Sequence, residues 1–136
     1  MTSENPSAVA ARLVRTLAAV GGSSVLAGLL AARSGSATVR AFGRQTAGWG
    51  AIDLAIAGVA TLRPPPASAT KLRKVLLVNA GLDVGYILGG AHLMWHRPRF
   101  GGRITAGESR AHGAAIVIQG GALLILDTVH ARQLTA

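Results

Sequence analysis

The chain has 136 residues, half of them apolar, 4% aromatic and only 14% charged, where soluble domains carry roughly 25% charged residues. Its formal net charge is +9, but the basic residues flank apolar blocks instead of forming a stripe with interleaved aromatics, so they point to lipid phosphates and not to nucleic acid. There is no cysteine, which excludes disulfides, thiolate metal sites and iron–sulfur clusters, and the excess of Arg over Lys with abundant Ala and Gly suggests a GC-rich bacterial genome.

The apolar residues gather into four blocks, and the spacing predicts helices over 13–32, 45–62, 71–95 and 106–132. In the first, Asn5-Pro6 offers a cap and a first-turn proline, and Gly35 a stop. This block could imitate a signal peptide, but Glu4 is the only charge before Arg12, so it is read as an uncleaved first helix. The second block ends at Arg63-Pro64-Pro65-Pro66, which cannot continue a helix. The third ends before Arg97-Pro98, and the fourth opens on a capping-box pattern, Thr105 with Glu108. Each block is long enough to cross about 30 Å of hydrocarbon at 1.5 Å per residue. The runs lack period-two alternation. The expectation is therefore an all-α integral membrane protein, a single domain of four packed helices with short loops, multi-pass in a bacterial inner (cytoplasmic) membrane.

Four spans place both termini beside the proline loop. Seven Lys or Arg fall on that side (Arg12, Arg15, Arg63, Lys71, Arg73, Lys74, Arg132) and seven on the other (Arg33, Arg40, Arg44, Arg97, Arg99, Arg103, Arg110). The positive-inside rule thus leaves the orientation undetermined.

Ionisable groups at bilayer depth cost about 2.5 to 3.5 kcal/mol each on insertion scales, so they mark candidate functional positions. Asp53 and Asp83 lie near the middle of blocks two and three, each about 14 Å from the proline-loop side. Asn79, Asp83 and Tyr86 share one helical face, while Gly81, Gly85 and Gly89 share the opposite one. That glycine ridge, with Ala47, Ala51 and Ala55 on block two, predicts close packing on both sides of the third helix, which would be central. Two polar layers are expected. One holds Asp53, Asp83, Tyr86 and Gln119 near the midplane, with Asn79 counted among the candidate ligand or ion-site residues. The other holds an Arg15–Asp127 ion pair beside Asn79, about one turn inside the proline-loop interface.

Two carboxylates at close range cannot both stay ionised, so the midplane layer reads as a proton or cation site, or else as interhelical hydrogen bonding. His92, His96 and His112 cluster toward the opposite end, where two imidazoles four residues apart could present themselves to a metal or haem. No carboxylate with matched spacing accompanies them, so neither cofactor is predicted. Trp49 and Trp95 fit an interfacial aromatic belt. No nucleophile elbow, zinc-protease pair or phosphate-binding loop is present, so no catalytic residue is assigned.

The segments W-G-x-x-D-x-x-I-A at Trp49 to Ala57, N-x-G-L-D-x-x-Y at Asn79 to Tyr86, and G-x-A-x-x-x-Q-G at Gly113 with a later Asp127 resemble a family of small bacterial four-helix membrane proteins known only as a domain of unknown function. The resemblance covers the last three blocks. It implies the fold and a membrane location, points to Asp53, Asn79, Asp83, Tyr86, Gln119 and Asp127, and implies no chemistry.

Three functions stay open on the residues: a small proton- or cation-linked transporter or channel-like unit, a non-catalytic accessory subunit of a larger membrane complex, and an enzyme acting on a lipid-like substrate. The expected partners are membrane lipids and either further copies of the chain or a larger membrane complex.

Overall fold

A computed structural model describes residues 4–134. They form four helices, α1 (Pro6–Ala31), α2 (Ala37–Thr61), α3 (Ala69–His96) and α4 (Ala106–Gln133), with no strand among the described residues. Local chemistry sets the helix starts. The Asn5 side chain accepts from the Ser7 N–H ahead of Pro6, so α1 begins at Pro6, a full two turns before Leu13, because cap and proline already satisfy the first-turn backbone. Ser36 and Ser68 cap α2 and α3 in the same way. At α4 the Thr105 and Glu108 side chains cap each other's backbone N–H groups. Arg97 ends α3 in the left-handed region, with φ 48°, just ahead of Pro98.

Helices α1, α3 and α4 are long and apolar enough to cross a membrane, whereas α2, equally long, is not among them. Gln45, Thr46, Trp49 and Asp53, interspersed with glycines, dilute its apolar content.

The packing differs from the glycine ridge expected on α3. The chain forms two hairpins, α1 on α2 and α3 on α4, which meet mainly where α2 lies along α4. The central helix is therefore α4. Gly81, Gly85 and Gly89 face open space, and Ala51 and Ala55 are exposed. The close approaches use other glycines. A Cβ added at Gly50 would sit 2.5 Å from the Gly21 carbonyl oxygen, one at Gly43 would sit 2.5 Å from that of Gly28, and one at Gly113 would sit 2.5 Å from that of Gly90. The glycines pair in antiparallel order, Gly21 with Gly50 and Gly28 with Gly43, so only a residue without a side chain lets these backbones touch.

Apolar packing is concentrated at the proline-loop end. Val9, Leu76, Ala131 and Leu134 form one buried cluster, with Leu13, Ala69 and Leu72 against it, and Leu17, Ala57 and Leu126 form a second. The ends of the described chain meet there. Arg12 pairs with Glu4 and reaches Gln133 Oε1 at 3.0 Å, and the Glu4 N–H donates to the Gln133 carbonyl at 3.2 Å.

Candidate functional site

Polar side chains fill the middle of the bundle. On α2, Thr46, Gly50, Asp53 and Ala57 are buried and recur at helical spacing, so they form the stripe facing α1 and α4. Asp53 is 1% exposed. Its Cβ lies against Gly21, whose missing side chain makes the room. On α3 the buried positions are Leu76, Ala80, Asp83 and Gly90, all toward α4. On α4, Gln119, Asp127 and His130 turn inward with Ser109.

The three buried aspartates come together from three helices. The side chains of Asp83 and Asp127 interact with each other, and Asp53 is close enough to both to interact electrostatically. Carboxyl groups this close in an enclosed site repel one another when ionised, so the cluster favours holding protons. Neither oxygen of Asp53, nor Oδ2 of Asp83, has a hydrogen-bond partner among the described residues. Among the described residues no ion pair joins a Lys or Arg to the three; the Arg12–Glu4 contact lies at the bundle end.

No Arg15–Asp127 ion pair forms among the described residues; Asp127 interacts with Asp83 instead. Arg15 is exposed, on the solvent face of α1. The physical reason is rotational: depth along a helix fixes which turns are level, but the packing seam decides which residues of that turn point inward.

Other expected members sit differently. Gln119 is buried, 4% exposed, and its Nε2 donates to Ser24 Oγ on α1 at 2.9 Å, while its Oε1 is unpartnered. Asn79 is half-buried. Tyr86 is 39% exposed and packs edge-to-face on Trp49, centroids 5.0 Å apart, which ties α3 to α2. Trp49 is thus half-buried with its indole N–H enclosed and unpartnered, whereas Trp95 is exposed.

The histidines do not converge. His92 and His96 are exposed, rings 4.3 Å apart, while His112 faces α2, its Nδ1 donating to Gln45 Oε1 at 3.0 Å. Among the described residues no three His, Asp or Glu are arranged to hold a metal ion. His130 is buried and its Nδ1 contacts the Leu126 carbonyl at 2.7 Å, so that nitrogen carries the proton.

Reading the sequence for ionisable groups passed over Ser24, Thr46 and Ser109, all buried and polar. Their signal was present but faint: each is a small hydroxyl in an apolar helix, and such residues also serve merely to let helices approach.

A four-helix all-α protein with a carboxyl cluster buried between its two hairpins is the class that this fold and site define. The chain belongs to a family of unknown function (DUF6992), whose pattern matches residues 16–128. No curated protein and no solved structure matches it.

Proposed function

We propose that the chain is a multi-pass protein of a bacterial inner membrane in which Asp53, Asp83 and Asp127 form a proton-handling site of a small transporter or channel-like unit. The observation that carries this reading is the meeting of three aspartates from three helices, with no Lys or Arg ion pair to them among the described residues. Helices α1, α3 and α4 are apolar enough to span, and α2 would cross with its polar stripe turned onto α1 and α4. In such a setting an isolated carboxylate is expensive, and a cluster that shares protons is the form in which several acids persist at depth. A proton given up by the Asp83–Asp127 contact leaves a charge that only movement, a cation or a new proton relieves, and this links occupancy to conformation.

The test is proton flux in vesicles carrying the reconstituted chain, read with an entrapped pH dye under an imposed gradient. Flux is expected in the native chain, with loss in Asp83→Asn and Asp127→Asn, two near-isosteric changes that keep a hydrogen-bonding group. A hydrophobic carbodiimide, which modifies protonated carboxyls in apolar surroundings, should also label at least one of the three aspartates. Absence of both flux and labelling overturns the reading.

One observation favours a second reading, a non-catalytic subunit of a larger complex. Gly81, Gly85 and Gly89 form a bare small-residue ridge on α3, of the kind that receives another helix. Under that reading a second polypeptide co-purifies in mild detergent and is lost in Gly85→Leu, while no flux is seen.

A further inference from the structure

The buried interior is divided along the helix axis. Toward the proline-loop end it is mostly apolar: Val9, Leu76, Ala131 and Leu134 close the bundle as a plug, and Leu17, Ala57 and Leu126 pack at about the depth of Asp127. His130, about one turn past Asp127 and next to Ala131, has its Nδ1–H bound to the Leu126 carbonyl. Toward the far end, where the α1–α2 and α3–α4 connections lie, the interior holds polar side chains among buried alanines and glycines such as Ala41, Ala115 and Gly113. Ser109 lies about 5 Å in from the start of α4, His112 with Gln45 about 9 to 12 Å in, and Thr46 about 14 Å in; Gln119, bonded to Ser24, is nearer the centre. The first turns of α2 and α4 flank this row, since a Cβ at Gly107 would meet Thr38 Oγ1 at 3.0 Å.

The unpartnered atoms follow the same division. Among the described residues, the enclosed side-chain atoms without a hydrogen-bond partner are those of Ser109, Thr46, Trp49, Gln119, Asp53 and Asp83. All lie in the aspartate cluster or on its far-end side, and none lies in the plug. Ser109, Thr46 and Gln119 are each more than nine-tenths buried. A buried hydroxyl or amide oxygen left without a partner is costly, and a polar site with several such groups is where water is retained inside proteins.

From this we infer that the aspartate cluster exchanges water and protons with the far end alone, along the α2–α4 seam past Ser109, His112–Gln45, Thr46 and Gln119–Ser24, and is sealed from the proline-loop end by the apolar plug. The inference rests on reading the chain as membrane-spanning with its acids as the proton site. It makes the chain a half-channel, with polar groups leading toward one side and apolar packing toward the other. Transfer across the whole membrane then requires the plug around Leu76 and Leu134 to part.

The native chain has no cysteine, so single cysteines report access without background. In lipid vesicles, Gly35→Cys at the far end and Ala67→Cys in the proline loop, both exposed, fix the orientation with a bulky impermeant maleimide. Silver ion, small enough to follow a file of water, is then applied from each side to Ser109→Cys, Thr46→Cys and Leu76→Cys, and thiols left unreacted are counted after unfolding. The expected result is loss of the Ser109→Cys and Thr46→Cys thiols from the Gly35 side only, with Leu76→Cys protected from both sides. Protection of all three, reaction from the Ala67 side, or reaction of Leu76→Cys as readily as the others overturns the inference. Should a variant fail to fold, hydroxyl-radical footprinting of the native chain decides: modification at His112 with Leu76 and Leu134 spared supports the path, and the converse overturns it. One-sided access without proton flux would overturn the transport reading and leave the path standing, whereas flux with no access from the far end would do the reverse.

Discussion

Asp83 and Asp127 are each other's partner, and this sets what single substitutions do. Asp83→Ala leaves the Asp127 carboxyl without its contact in an enclosed site, at a cost of about 1 to 3 kcal/mol. The double variant Asp83→Ala/Asp127→Ala should cost less than the sum of the singles, because the second change removes a group already orphaned. Thermal melts in detergent of the three variants decide this, and strict additivity would break the pair. Arg15→Ala, by contrast, alters an exposed side chain and should shift stability by no more than about 0.5 kcal/mol. Ser24→Ala should destabilise by about 1 to 3 kcal/mol, since it strips the Gln119 amide of the partner its Nε2 has among the described residues. The aspartates were legible in the sequence because a charge in a long apolar run stands out at any rotation of the helix. Their grouping was legible only in part. Asp53 and Asp83 are level along the bundle, but the place of Asp127 beside them depends on which face of α4 turns inward.

That rotation is set between elements, by the glycines. Gly21 and Gly28, Gly43 and Gly50, and Gly113 and Gly120 are each seven residues apart. Seven residues are close to two turns, so contacts at this spacing stay on one seam as two helices wind gradually around each other. The four-residue run Gly81, Gly85, Gly89 is the more conspicuous pattern and the one that favours a tight right-handed crossing, yet nothing in the chain packs there. Periodicity therefore revealed four helices and their caps, but could not choose between a regular ridge that faces outward and spaced glycines that face inward. The consequence is opposite for two similar substitutions. Gly28→Leu forces α1 from α2 against the Ala47 backbone and should cost at least about 1 to 3 kcal/mol. Gly85→Leu meets open space and should leave the melting temperature of the isolated chain unchanged or raise it, since glycine is a poor helix former. A lower melting temperature for Gly85→Leu than for Gly28→Leu would refute this assignment of the seams.

At the scale of the molecule, two hairpins, each closed by glycine contacts, meet along the α2–α4 seam that carries most of the buried polar side chains. The fold as a whole was legible because length, apolarity and proline placement act independently of packing; the unequal interior was not, since it depends on which buried residues are Leu and which are Ser or Thr at the same inward positions. The link from Thr61 to Ala69 joins hairpins whose other ends already touch, through Arg12, Glu4 and Gln133. The order in which the hairpins are synthesised is thus not dictated by the architecture. A circular permutant that begins within the proline loop and joins residue 134 to residue 4 by a short flexible linker should fold to the same bundle. So should two separate polypeptides divided at Pro65 and expressed together, recovered as one complex whose melting temperature falls when Gly113→Leu is introduced. In evolutionary terms, the chain behaves as two exchangeable cassettes, the second supplying two of the three acids.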